Sequence, residues 1–179
     1  YEREWKLAKQ ASRNCNKTFA NEIEKSKKEK IGITKSYIKS SLKCSPNFIG
    51  CFAEDELSNL KVLSFPSFLI VNIDTVSQIG SHWLSIGLFA DKIEIFDPLG
   101  FDIFNWTRIP CNLLEFVHRL SVTRRVIIAP RLQSDKSYLC GFYSIFYIIL
   151  RKFLSFETLC KCFHTKLELN DDEFIKFYR

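Results

Sequence analysis

The chain has little of what marks a membrane-spanning or low-complexity protein. Only 6 of its 179 residues are Gly and 5 are Pro. A membrane-spanning helix needs roughly 20 apolar residues, whereas the most apolar run, at 142–150, stops at Arg151 and Lys152. No segment resembles a signal peptide, and we expect no membrane partner. The chain also has no Met and begins at Tyr1, so we expect it to be a trimmed or processed product.

Seven cysteines form neither a disulfide framework nor a zinc site. Their odd number and irregular spacing favour reduced thiols in an intracellular compartment. Cys160 and Cys162 are close together and His164 follows, but a fourth ligand is missing. The sequence therefore predicts no metal site.

The remaining composition is that of a folded protein. Hydrophobic residues make up 46% of the chain, and 17 residues are Phe. The net charge of +6 comes mostly from lysines between Lys17 and Lys43. Such a run is typical of a solvated face, and contact with nucleic acid or an acidic partner is the alternative. We expect residues 1–40 to form a polar helical arm, exposed or partly mobile, and residues 41–179 to form the main domain.

The apolar periodicity predicts an α+β fold. Expected strands lie at 68–73, 83–89, 93–96 and 125–129, and expected helices at 110–120 and 139–156. The strands at 83–89 and 93–96 form a hairpin, and the second helix is apolar nearly all round, which predicts burial in the centre. Residues 44–48 are expected to form a packed entry loop, and the chain from Lys166 onward a polar tail with an amphipathic end. The result is a small, mainly antiparallel sheet flanked by helices.

Three residues supply the groups for thiol-based acyl transfer. Cys140 heads the central helix after a polar segment, and a helix N-terminus favours a thiolate. His82 lies in a Gly-Ser loop that enters a strand, where a base can sit at the edge of a rigid sheet. Asp97 ends the second strand of the hairpin, so antiparallel pairing returns it to His82, whose imidazole it can orient. His118 and His164 are competing bases, but neither precedes a carboxylate that could orient it.

Three further residues complete the candidate site. Gln133, an exposed loop amide by its residue type, can donate its NH₂ group to an oxyanion together with the backbone N–H of Cys140. Trp83 follows the base and is either core or a wall that limits the imidazole. Gly141 allows close backbone packing at the strand-to-helix corner. Each position alone fits an ordinary structural role, and the set predicts catalysis.

The order of these motifs resembles that of the adenovirus-type cysteine endopeptidases (adenain-like), whose clan includes SUMO-deconjugating proteases and proteases of large DNA viruses. The matching segments are Ser81-His82-Trp83, the stretch from Ile95 to Phe101, and Gln133 through Cys140-Gly141. The stretch from Leu42 to Gly50 resembles the start of the adenoviral enzyme. The resemblance covers roughly residues 42–155.

The resemblance implies a viral or mobile-element endopeptidase that processes capsid or core precursor proteins near Gly. It also implies action in the virion and in the host cell nucleus or cytoplasm. By the resemblance Cys140 is the nucleophile, His82 the base, Asp97 the orienter and Gln133 the oxyanion donor. The chemistry needs no cofactor, while DNA or a peptide activator is implied. The adenoviral strand cysteine that bonds to that activator has no counterpart at Arg124–Ile127, and residues 1–40 have none in the family.

Two alternatives remain open from the residues. An isopeptidase that removes SUMO- or ubiquitin-like modifiers would use the same four groups and also cut after Gly. A non-catalytic peptide-binding module would keep only the groove, although the complete set of four groups argues against it.

Overall fold

Five strands form one mixed sheet in which neighbours in sequence are neighbours in space. The strands are β1 (Phe48–Ala53), β2 (Ser67–Asn72), β3 (Trp83–Leu88), β4 (Lys92–Phe96) and β5 (Arg125–Ile128). The central pairs β2–β3 and β3–β4 are antiparallel, and the edge pairs β1–β2 and β4–β5 are parallel. The computed structural model describes Lys6, residues 16–100 and residues 109–178. Phe101 and most of residues 1–15 lie outside this description.

Helices cover both faces of the sheet and confirm the α+β prediction. They are α1 (Asn16–Glu29), α2 (Lys35–Leu42), α3 (Cys111–Ser121), α4 (Cys140–Leu150), α5 (Phe156–Cys160) and α6 (Leu167–Tyr178). Alternate residues of β2 point to opposite faces, so Phe68 and Ile70 join the apolar cluster of α4, whereas Leu69 and Val71 join that of α3. Every side chain of β2 is consequently buried.

The described part of the segment that was predicted as an exposed polar arm (residues 1–40) packs on the core, whereas residues 1–5 and 7–15 lie outside the described residues. Phe19, Ala20 and Ile23 of α1 are buried in the cluster around α4. Their spacing places them on one side of the helix, so the lysines stay on the solvent side. The predicted boundary between residues 40 and 41 falls inside α2, whose Ile38 and Leu42 are also buried.

Three other elements differ from the sequence prediction. The entry loop predicted at residues 44–48 leads directly into β1. The sequence pattern did not indicate this strand. The helix predicted over 139–156 ends at Leu150, because a turn follows and Ser155 caps a separate helix by accepting from the Thr158 N–H at 3.1 Å. The segment predicted as a polar tail is α6, which buries Asn170 and Phe177.

The longest helix among the described residues is α1, with 14 residues. None of the described helices combines the length and the apolar character that crossing a membrane requires.

Candidate active site

The hairpin of β3 and β4 brings His82 and Asp97 together. Ser85 pairs with Phe96 in the antiparallel register, so the residues just outside the two strands meet at the same end of the sheet. His82 Nε2 lies 2.8 Å from Asp97 Oδ1. The two side chains are 6% and 2% exposed, so water screens this contact little.

The turn after β4 orients the Asp97 carboxylate. Asp97 Oδ1 accepts a second hydrogen bond from the Leu99 N–H at 2.9 Å, and the Asp97 carbonyl accepts from the Gly100 N–H at 2.9 Å. Gly100 has a φ of +68°, and a Cβ there would lie 2.5 Å from the Arg131 Cα. Both the left-handed backbone and the close approach require glycine, which explains the Asp-Pro-x-Gly pattern.

The same turn docks the segment that carries Gln133. The carbonyl of Pro98 accepts hydrogen bonds from the backbone N–H groups of Leu132 at 2.9 Å and Gln133 at 2.8 Å. One turn therefore aligns the carboxylate with His82 and fixes the backbone of Gln133.

Cys140 is the first residue of α4 and a hydrogen-bond partner of His82. At this position its backbone N–H has no partner within the helix. Burial lowers the pKa of His82, but the hydrogen bonds and negative charges of Asp97 and Cys140 outweigh burial and raise it to about 10. Since Asp97 occupies Nε2, the nitrogen left for the thiol is Nδ1. This arrangement favours the imidazolium form of His82.

Gln133 is buried rather than exposed, with 2% of its surface accessible. Its Nε2 donates to the carbonyl of Ser137 at 2.9 Å. An amide NH₂ group carries two N–H bonds, and among the described residues no acceptor takes the second. Gln133 Oε1 likewise has no hydrogen-bond partner in the described part of the chain.

Trp83 and Gly141 pack against a segment that the sequence did not connect with the site. Trp83 Nε1 donates to the Ile33 carbonyl at 3.1 Å. A Cβ at Gly141 would lie 2.5 Å from Ile33 Cγ1 and 3.2 Å from Trp83 Cδ1. Gly141 therefore allows Ile33 and Trp83 to lie against the residue that follows the nucleophile.

A groove of about 770 Å³ connects these groups. His82, Trp83, Gln133 and Cys140 line it, so Cys140 contributes to the groove surface although the residue is only 7% exposed. Its rim carries exposed apolar side chains, namely those of Ile31, Val76, Ile79 and Tyr138. An extended peptide with apolar side chains fits such a rim.

The competing residues lie elsewhere. His118 and His164 are exposed, and His164 Nε2 lies 3.9 Å from Glu173 Oε1. Cys160 and Cys162 are partly buried, and the Cys162 thiol donates to the Thr158 carbonyl at 3.2 Å. Within the described residues no His, Cys, Asp and Glu side chains are grouped so as to hold a metal ion.

Sequence reasoning missed three contributors to the site. Ile33 comes from the link between α1 and α2, Ser137 from the loop before Cys140, and Asp171 from α6. The apolar spacing of Phe19, Ala20 and Ile23 could have indicated that α1 packs on the core and thus places Ile33. No local pattern distinguishes Asp171 from its neighbour Asp172.

Comparison with models of known protein families finds no match for this sequence. Comparison with curated proteins likewise finds no match.

Proposed function

We propose that the chain is a cysteine endopeptidase of the adenovirus type. The observation that carries the proposal is the shared imidazole of His82, which contacts Asp97 at 2.8 Å and Cys140 at the start of a helix. Gln133 lines the same groove. A nucleophile, a base, an orienter and an oxyanion donor are the minimum set for acyl transfer.

In the proposed reaction the proton of the Cys140 thiol resides on His82. The thiolate attacks the scissile carbonyl and forms a C–S bond, while Gln133 Nε2 and the Cys140 N–H bind the oxyanion. The His82 imidazolium then protonates the leaving amine as the C–N bond breaks. Water, activated by His82, hydrolyses the thioester and releases the acid and the Cys140 thiolate.

The groove supports an extended substrate with a small residue at the cleavage point. Ile33 and Trp83 lie close beside Gly141, so little space remains next to the nucleophile. Together with the sequence resemblance, this supports cleavage beside Gly in structural precursor proteins of a virus or mobile element. The proposed setting is the virion and the infected cell.

Two proteins tested side by side decide the substrate class. The chain and its Cys140→Ala variant are incubated with a capsid precursor and with a SUMO or ubiquitin fusion, and products are identified by mass spectrometry. We expect Cys140-dependent cleavage of the precursor beside Gly. Cleavage of the fusion alone would replace the endopeptidase with the isopeptidase, and cleavage of neither would favour the non-catalytic peptide-binding module.

The same assay tests the proposed DNA cofactor. Exposed lysines in and just after the first two helices include Lys25, Lys28, Lys39 and Lys43, whereas Lys27 and Lys35 pair with Asp172 and Glu56. DNA neutralises such lysines by releasing counterions, so any stimulation should decline steeply with salt. Equal cleavage with and without DNA would remove DNA from the proposal.

A further inference from the structure

The C-terminal helix α6 reaches the loop that carries Gln133. Asp171 Oδ1 accepts hydrogen bonds from the Ser137 hydroxyl and the Tyr143 hydroxyl, each at 3.0 Å. The preceding residue, Asn170, donates through Nδ2 to the Leu132 carbonyl at 2.8 Å. Both α6 side chains are buried. The loop from Leu132 to Leu139 is therefore bound to α6 through side-chain hydrogen bonds on buried groups.

Ser137 connects this contact to the reacting groups. Its carbonyl accepts the hydrogen bond from Gln133 Nε2 at 2.9 Å. Its hydroxyl oxygen accepts from the backbone N–H of Leu139, the residue before Cys140, at 3.3 Å. Displacement of Ser137 would thus release the Gln133 amide and the backbone that leads into the nucleophile.

We propose that Asp171 is a positioning residue for the oxyanion site, acting through Ser137 on the amide of Gln133. This inference rests on the proposed function, because Gln133 binds an oxyanion only in acyl transfer. The contact requires an acceptor oxygen at residue 171 and not a negative charge, because both partners of this oxygen are hydroxyl groups. Asp172, the adjacent carboxylate, is exposed and pairs with Lys27 at 2.6 Å instead.

Asp171→Ala removes this acceptor, and Asp172→Ala is the matched control on the same helix. Loss of an oxyanion donor lowers kcat by about 10²- to 10³-fold, and loss of a residue that only positions the donor should cost less. We expect Asp171→Ala to lower kcat by about 10-fold with KM changed by less than about twofold, as for an interaction realised in the transition state. Asp172→Ala should leave both constants within about twofold of wild type.

Two further variants separate positioning from a folding defect. Asp171→Asn keeps an oxygen that can accept from both hydroxyl groups, so it should retain most of kcat. Ser137→Ala removes the hydroxyl donor while the Tyr143 contact remains, so it should lower kcat in the same direction as Asp171→Ala. The inference would be overturned if Asp171→Asn lost as much kcat as Asp171→Ala. It would also be overturned if Asp171→Ala raised KM and left kcat unchanged.

A double-mutant cycle tests whether the effect passes through Gln133. In the Gln133→Ala background Asp171→Ala should lower kcat by less than about twofold, because residues that act through one another are not additive. An undiminished effect of about 10-fold in that background would overturn the inference.

Amide hydrogen exchange gives a readout that does not depend on turnover. In Cys140→Ala protein, we expect residues 134–138 to exchange faster when Asp171 is Ala than when Asp172 is Ala. Equal exchange would overturn the inference even if the enzyme is active. If wild type shows no Cys140-dependent turnover, the proposed function fails, while the exchange result still decides whether Asp171 holds the segment.

Discussion

Replacing Asp97 with Asn removes the carboxylate charge and keeps an oxygen that can accept from His82 Nε2–H. Burial lowers the pKa of His82, but the contacts with Asp97 and Cys140 outweigh it and raise the pKa from 6.5 to about 10, a net preference for imidazolium on the order of 5 kcal/mol. In the variant the Asp97 part is lost and burial still lowers the pKa. We therefore expect the imidazolium to lose its proton at a lower pH.

This change should appear in the pH dependence of kcat/KM for a Gly-containing peptide. A raised pKa keeps His82 protonated as pH increases, so wild-type activity should decline only as pH rises through about 10. Asp97→Asn should move that alkaline limb toward neutral pH. It should also lower the rate by about 10²- to 10⁴-fold, the usual contribution of acid–base assistance.

Asp91→Asn is the matched control, because Asp91 is exposed at the opposite end of the same hairpin. Circular dichroism at each pH checks that both variants stay folded. An alkaline limb that does not move in Asp97→Asn, with a rate within about twofold of wild type, would refute the role of Asp97.

Three further predictions concern packing and buried charge in the fold. Gly141→Ala should destabilise the protein by about 1–3 kcal/mol and lower activity, because the new Cβ meets Ile33; Gly32→Ala, whose Cβ has its nearest neighbour at 3.7 Å, should do neither. Ile23→Ala should lower the free energy of unfolding by about 2–5 kcal/mol, since this α1 residue is fully buried. Arg151→Ala should cost about 3–5 kcal/mol in urea unfolding, because it leaves the buried carboxylate of Glu94 without its main partner.

Each of these has a result that would count against it. Equal unfolding midpoints for the two Gly variants would show that Ile33 moves aside without cost. Lys25 is an exposed residue on the same helix. If Ile23→Ala were as stable as Lys25→Ala, α1 would be an arm that does not contribute to the core. A stable Arg151→Ala variant would mean that Lys92, 2.9 Å from Glu94, suffices as a partner.

The central part of the fold could be predicted because its signals are local. Short apolar runs at β3 and β4, alternation within β4 and a tight turn between the two strands specify a hairpin, and the hairpin places His82 beside Asp97 without any long-range information. Cys140 could be placed at a helix start because the polar stretch before it ends abruptly in an apolar run.

The remaining features depend on contacts between distant segments. The burial of α1 against Phe142, with Phe19 at 5.2 Å between ring centroids, comes from tertiary packing that lysine-rich composition obscures. β1 pairs in parallel with β2. Two parallel strands are not joined by a short hairpin turn, so the sequence contains no turn signal that would indicate this pair. Asp171 lies 34 residues from Ser137, and a polar run at the start of an amphipathic helix gives no sign of which carboxylate is buried.

The most direct test of the central claim is the site of covalent labelling by a Gly-containing peptide vinyl sulfone, read by intact mass and peptide mapping. We expect one adduct, on Cys140, formed rapidly in wild type, slowed in Asp97→Asn, unaffected by Cys44→Ala and lost in Cys140→Ala. Labelling spread over exposed thiols such as Cys44 and Cys111, with no preference for Cys140, would contradict it.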